Sequence, residues 1–267
     1  MKSIVSAQNP AFKSWLHLAE SGRERRARRQ TLIDGTHLVA TCIERGIKPL
    51  QLVIAQGAAD NPEIAALLGR LDGVPCASLD DGLFARLSPV DTPAGLLAVI
   101  AIPPEAGYLH LEGDVMVLDA IQDAGNLGTL LRSAAAAGLR DVLVSRGSAQ
   151  VWSPKVLRAG QGAHFALCIR EHPDLAGFLD NYRGTVVATE PAAAQSLYEL
   201  DLRGPVAWLF GNEGAGLAAE LAARASRHVH IPMPGGMESL NVAMAATVCL
   251  FEQVRQKLAR PGLITGA

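Results

Sequence analysis

Two glycine-bearing strings near the C-terminal end constrain this chain more than any other feature: LFGNEGAGL at 209–217 and HIPMPGGMESLNVAMAA at 230–246. In the first, an apolar run from Val206 to Phe210 ends in Gly211, Gly214 and Gly216, then gives way to helix-compatible AAELAARA. That order predicts a strand, a tight turn and a helix, with missing side chains letting backbone amides approach a ligand closely. In the second, another short apolar run meets a Pro/Gly turn, and a helix is expected to start near Ser239 to Asn241. Either residue can cap its first free amides. Val242, Ala245, Ala246, Cys249 and Leu250 then recur at helical spacing, so one face of this helix should be buried.

Glycine turns after strands also occur in ordinary α/β domains, and a third string narrows the choice. Residues 114–138 read DVMVLDAIQDAGNLGTLLRSAAAAG. The pattern predicts a strand from Val115 to Leu118, a polar loop holding Asn126 and Gly128, and a helix closed by Gly138. Arg132 is then expected on the first turns of that helix, where a cation opposes the helix dipole. An anionic partner explains a basic residue there better than local stability does.

In this order the three strings resemble the three motifs of the SpoU/TrmH family of RNA ribose methyltransferases, within the SPOUT superfamily. The first motif is matched by Asn126, Gly128 and Arg132, and the second by Gly211, Glu213, Gly214 and Gly216. The third is matched by Ile231, Pro232, Met233, Ser239, Leu240 and Asn241. Similarity extends to SPKVLRAGQGAHF at 153–165 and LSPVDTPAGLLAVI at 87–100. Two departures stand out. Where many members have Asp-Pro-x-Asn, this chain has Asp123, Ala124, Gly125 and Asn126, and an MPGGME turn precedes the third motif's helix.

The resemblance implies an α/β chain: a C-terminal SPOUT trefoil-knot domain with a mainly parallel sheet, and a smaller N-terminal α/β RNA-binding domain similar to a ribosomal-protein fold. It implies S-adenosylmethionine as cofactor, held around Gly211, Ile231, Leu240, Met233, Thr189 and Leu209. The implied reaction is methyl transfer to a ribose 2'-hydroxyl of structured RNA, with Arg132, Asn126, Glu213, Ser239 and Asn241 as the catalytic set. Glu213 is expected to organise its loop and to contact Arg132 of the partner subunit. A guanidinium stays protonated at neutral pH, so Arg132 is better cast as a grip on a neighbouring phosphate and a stabiliser of developing alkoxide charge than as a free base. The family also implies a homodimer through the C-terminal domain, with the helix at 240–258 and the one near Asn126 as interface candidates.

Domain bounds are expected at 1–105 for substrate binding, 106–113 for a linker and 114–267 for methyl transfer, because two prolines and two glycines in IPPEAGYLHLEG at 102–113 interrupt the pattern. Before the linker, helix-like 9–20, 37–46 and 62–71 alternate with strand-like TLID, LQLVIA and GLLAVIAI; after it, alternation argues for parallel strands. A formal charge of -2 does not mark a nucleic-acid binder, but its distribution does. GRERRARR at 22–29 supplies Arg23, Arg25, Arg26, Arg28 and Arg29, and Lys155 and Arg158 add to them as RNA-contacting candidates. The alternative for the arginine run is a solvated helix face. Four scattered cysteines show no metal-ligand spacing and are expected as reduced thiols, with no metal bound. No apolar run approaches the roughly 20 residues that span a bilayer, and the N-terminus has no secretory pattern, so the expected site of action is the cytoplasm.

Three rival readings stay open. A nicotinamide or flavin enzyme shares the strand–turn–helix, but GNLGTLLRSAAAAG lacks its GxGxxG spacing. The second is a non-catalytic RNA-binding protein of the same fold, and the third is the same reaction on tRNA. The separate N-terminal domain favours rRNA.

Overall fold

The computed structural model describes residues 1–105 and 110–259; part of the expected linker and the last eight residues lie outside them. The chain divides into two compact units, residues 1–104 with 150–165, and residues 105–149 with 166–267.

The first unit runs β1 (Lys2–Ile4), α1 (Pro10–Glu20), α2 (Gly22–Arg28), β2 (Gln30–Asp34), α3 (Thr36–Glu44), β3 (Gln51–Ala55), α4 (Pro62–Gly69), β4 (Cys76–Leu79), α5 (Asp81–Ala85) and β5 (Leu96–Ala101). Its five strands form one mixed sheet in the order β1-β4-β3-β5-β2, with β5 antiparallel to both neighbours. Successive side chains of a strand point to opposite faces, so a run such as Leu96 to Ile100 serves two cores at once. Leu97 and Val99 join Leu32, Val53, Phe12, Trp15 and Leu18 on one face. Leu96, Ala98 and Ile100 join Ile33, Leu52, Ile54, Leu38 and Ile64 on the other.

The segment 150–165 belongs to this unit by its packing, whereas the sequence pattern groups it with residues 114–267. Leu157 is fully buried in the second of those cores, and the Thr31 hydroxyl donates to the Trp152 carbonyl at 2.7 Å. Arg158 is spent on the same attachment. It donates to the Asp34 carbonyl at 3.2 Å and lies 3.9 Å from the Asp34 carboxylate, which also accepts from Ser88. Burial pushes the Asp34 carboxyl above its usual range, while Ser88 and Arg158 pull it back.

The second unit runs β6 (Val115–Leu118), α6 (Ala124–Ala136) and β7 (Asp141–Val144). After α7 (Pro154–Gly160), a helix of the first unit, it continues through β8 (Cys168–Glu171), α8 (Leu175–Asn181), β9 (Thr185–Thr189), β10 (Gln195–Ser196), β11 (Val206–Phe210), α9 (Ala219–Ala222), β12 (Arg227–His230) and α10 (Val242–Leu258). Seven strands form an all-parallel sheet in the order β10-β12-β9-β11-β6-β7-β8. Every residue of β6, β7 and β11 is buried, as expected for parallel strands covered on both faces. On one face Ala207 and Leu209 pack with Phe178 and Leu179 of α8. On the other, buried Trp208 of β11 donates its indole N–H to Gln253 of α10 at 2.8 Å.

Three local expectations differ from the structure. Asn126 and Gly128 are not in a loop: Asp123 caps α6 by accepting from the Asn126 amide at 2.7 Å, so the helix starts at Ala124. Arg132 is then the ninth of its 13 residues, away from the first turn, and the helix-dipole argument for an anionic partner fails. The stretch AAELAARA forms only the four-residue α9.

Candidate active site

The strands β9, β11 and β12 are parallel neighbours, and their C-terminal ends open into a cavity of about 740 Å³. In open α/β sheets ligands bind in the crevice beyond the strands' carboxyl ends. Thr189 at the end of β9, Phe210 and Gly211 at the end of β11, and His230 and Ile231 at the end of β12 all line this cavity.

The glycine string closes one side. Asn212 and Gly216 exchange two backbone hydrogen bonds of 2.9 Å, and Gly216 takes φ +72°, a conformation that favours glycine. Inside that small ring, the Asn212 side-chain oxygen accepts from the Gly214 and Ala215 amides at 2.9 and 2.8 Å. A Cβ on Gly211 would stand 2.3 Å from the Gly216 carbonyl carbon and the Leu217 nitrogen. Only glycine allows the returning loop to lie that close to the strand end.

A carboxylate and two asparagines tie the three strings together. Glu213 accepts from the amides of Gln122 and Asp123 at 3.3 and 3.2 Å and from the Asn126 side chain at 3.0 Å. Asn126 in turn accepts from the Asn241 side chain at 2.9 Å. The Asn241 oxygen caps α10, accepting from Ala243 and Met244 at 2.9 and 3.4 Å. Burial acts to raise the Glu213 carboxyl, but the hydrogen bonds from Asn126 and the backbone amides outweigh it and hold the group below the usual glutamate range. Within the chain it is held by the start of α6, by Asn126 and by the neighbouring Asn212 side chain at 3.5 Å.

Three residues that the sequence pattern does not single out, Asp119, Ser145 and Asn212, brace the same loops. Asp119 accepts from the Ala218 amide at 3.0 Å and from the Ser145 hydroxyl at 2.9 Å. Ser145 also accepts from the Ala120 amide at 2.8 Å, and Ala120 has φ +53°, a left-handed conformation unusual for alanine. Asn212 further donates to the Ala120 carbonyl at 2.8 Å. An Asp at a strand end and an Asn inside a glycine string are too common to be read as braces from sequence.

Of the expected cofactor-contacting residues, Thr189, Gly211, Ile231, Met233 and Leu240 line the cavity. Leu209 does not: its side chain is fully buried in the α8-side core, and only its carbonyl is engaged, by the Thr189 hydroxyl at 3.4 Å. Of the expected catalytic residues, Glu213, Ser239 and Asn241 line the cavity, and Asn126 is joined to it through Glu213 and Asn241. Arg132 is exposed on α6, outside the cavity wall, with no hydrogen-bond or ion-pair partner among the described residues. The wall also contains Glu190, Glu238 and exposed Met237, and it contains no lysine or arginine.

The arginine run behaves unevenly. Arg25 is buried and donates to the Leu18 and Ala19 carbonyls at 2.7 and 3.0 Å and to Gln150, so it braces the first unit and is not available to RNA. Arg28 pairs with Glu24 at 2.9 Å, and Arg29 donates to the Pro103 carbonyl at 2.7 Å. Arg23, Arg26 and Lys155 are exposed. Cys42 and Cys249 are buried free thiols pushed up to about 12 by burial, while Cys76 and Cys168 are half-buried.

The profile of the SpoU rRNA Methylase family matches residues 114–251, and that of an MRM3-like substrate binding domain matches residues 9–98. The chain is 34% identical to a 23S rRNA (guanosine(2553)-2'-O)-methyltransferase of Bacillus subtilis, covering 94% of this chain and 98% of that one. A crystal structure of an RNA 2'-O ribose methyltransferase superposes with TM-score 0.84 at 32% identity, covering 96% of this chain and 99% of that one. The SpoU methyltransferase AviRb from Streptomyces viridochromogenes, in complex with AdoMet, gives TM-score 0.84 at 26% identity, covering 94% of this chain and 99% of the other.

Proposed function

The chain belongs to the SpoU rRNA methylase family, and on that premise we propose that it transfers a methyl group from S-adenosylmethionine to a ribose 2'-hydroxyl of ribosomal RNA. The observation that carries this reading is the chemistry of the cavity wall. It combines a glycine cradle and apolar surface with the carboxylates of Glu190, Glu213 and Glu238, and its only basic side chain among the described residues is the imidazole of His230. A sulfonium ligand bearing an ammonium and one carboxylate is a net cation and suits such a wall. A dinucleotide cofactor carries a pyrophosphate and would meet like charge there. The volume lies within the ordinary range for a cofactor-sized ligand, roughly 300–1,000 Å³.

In this reading Gly211 and the 212–216 ring admit close backbone contact, while Ile231, Met233 and Leu240 offer apolar surface to a purine. S-adenosylmethionine bound there would supply an activated methyl group to the ribose oxygen, leaving as the neutral thioether while the hydroxyl proton passes to solvent. The chain's own part is positioning. Glu213, Asn126 and Asn241 fix the beginnings of α6 and α10 against the glycine ring, so the cavity mouth keeps one shape. Arg132, on the helix whose first turn holds Asn126, presents a fork of donors suited to a phosphate and to developing alkoxide charge. Ser239, two residues before the α10 cap, offers a hydroxyl to cofactor or substrate.

The substrate reading rests on relatives that span both halves of the chain and act on 23S rRNA by name. A homodimer through the second unit and a cytoplasmic site of action belong to the same proposal. Met244, Phe251 and Leu258 recur every seven residues on α10 and are 52%, 45% and 58% exposed, an apolar stripe suited to a second copy. Among the described residues no helix is long and apolar enough to cross a membrane. The trefoil-knot threading is supported by β12, which follows β11 in the chain yet pairs beyond β9.

The test is transfer of labelled methyl from S-adenosylmethionine to total RNA from a strain lacking the protein, followed by nucleoside analysis. Label in a 2'-O-methylnucleoside of large-subunit rRNA is expected. Label in tRNA alone, or in a base, overturns the substrate assignment.

A further inference from the structure

We infer that the first unit holds the RNA backbone in a cleft of about 410 Å³ framed by the end of α1, the turn after α5 and the start of α7, with Arg86 and Lys155 as the phosphate-gripping side chains. This rests on the reading that the substrate is RNA.

Residues 1–104 and 150–165 contain 13 Lys and Arg against 10 Asp and Glu, a net +3 within a chain whose formal total is -2. The basic surplus is therefore confined to the first unit. Within it, the cleft is lined by Arg25, Arg86 and Lys155 and by a single carboxylate, Glu20.

The side chains differ in how they are committed. Arg25 forms part of the wall with its guanidinium already donated to the Leu18 and Ala19 carbonyls, so it contributes fixed positive charge rather than a free grip. Arg86 and Lys155 are exposed, and neither has a hydrogen-bond or ion-pair partner among the described residues. Arg86 is nonetheless held: its guanidinium carbon stands 5.1 Å from the centroid of the buried Phe12 ring. A cation over an aromatic face keeps its N–H edges free for a phosphate while losing less freedom on binding than a mobile side chain. Leu87, Pro89 and Pro154 give the cleft rigid apolar walls against which a ribose or base can lie.

A fluorescein-labelled RNA stem-loop, titrated over a series of salt concentrations, tests the cleft. Removing one cation that neutralises a phosphate lowers the slope of log affinity against log salt by roughly 1. The double variant Arg86→Gln/Lys155→Gln is therefore expected to bind more weakly and to lower that slope by roughly 2. Arg86→Lys, which keeps the charge, should retain most of it. Lys48→Gln/Arg70→Gln removes the same charge from exposed positions outside the cleft and is expected to leave the slope within a few tenths. Thermal midpoint and S-adenosylhomocysteine affinity, measured alongside, should match the wild type in all variants. A slope unchanged in the cleft double variant, or lowered equally in the control, overturns the cleft while leaving the RNA reading intact. No binding of the stem-loop or of rRNA by the wild type overturns the RNA reading itself.

Discussion

Asn241 donates from its side-chain nitrogen to the side-chain oxygen of Asn126 at 2.9 Å, while its own oxygen caps α10. One residue thus performs two separable tasks. Asn241→Asp keeps an acceptor for the Ala243 and Met244 amides but cannot donate to Asn126. It should leave the urea midpoint near the wild-type value and lower methyl transfer at least tenfold. Asn241→Ala loses the cap as well, at a cost of about 1 kcal/mol of stability. Parallel denaturation and turnover measurements separate the two, and equal activity of Asn241→Asp and wild type would count against the bridge.

Glu213 offers a pH test. Its carboxyl is held below the ordinary value of 4.5 in the folded chain, so its contribution is fully present above that value and is lost as pH falls through the lower folded one. Wild-type urea midpoints should therefore drop on acidification below about pH 4.5 more steeply than those of Glu213→Gln. Parallel acid profiles for the two proteins would show that the carboxylate does not organise the loop.

His164 should dominate a different window. It is fully buried in the first unit, donates from Nε2 to the Val151 carbonyl at 2.9 Å, and is lowered by burial from 6.5 to about 4. The unfolded chain takes up this proton first, so stability is complete above about 6.5 and declines as pH falls toward 4, by up to about 3 kcal/mol. His164→Leu should flatten that decline between about pH 6.5 and 4. An unchanged slope in the variant would assign the decline to other groups.

Arg132 is predicted to act through its fork of donors. Arg132→Lys keeps the charge and loses the bidentate geometry, so the turnover number should fall by about a hundredfold with the KM for S-adenosylmethionine unchanged. Arg132→Ala should fall further. Full activity in Arg132→Lys would rule out the bidentate requirement, and a raised cofactor KM would move Arg132 into the cofactor site.

Sequence pattern revealed the fold best where burial is complete. Val115–Leu118 and Val206–Phe210 are legible to the residue because strands covered on both faces leave no polar position to blur their ends. Lys2–Ile4 and Cys76–Leu79 escape because one is too short and the other mixes small and polar residues. The start of α6 is displaced in the sequence reading because Gly125, Asn126 and Gly128 are poor helix formers, yet the Asp123 cap begins the helix before them. Arg25 looks solvated within a run of charge; its burial depends on carbonyls left at the end of α1, which no local pattern reports. The motif residues of the cavity were legible by resemblance, whereas Asp119 and Ser145, which brace it, act through hydrogen bonds to residues distant in the chain.

The most direct measurement is calorimetric titration of S-adenosylhomocysteine into the wild type and into Gly211→Ala, because the account stands on the glycine cradle at the end of β11 being the cofactor site. One site per chain is predicted for the wild type. In Gly211→Ala, where the added Cβ meets backbone at 2.3 Å, binding should weaken at least a hundredfold while the first unit keeps its RNA affinity. Undiminished binding in Gly211→Ala, or none in the wild type, would contradict the account.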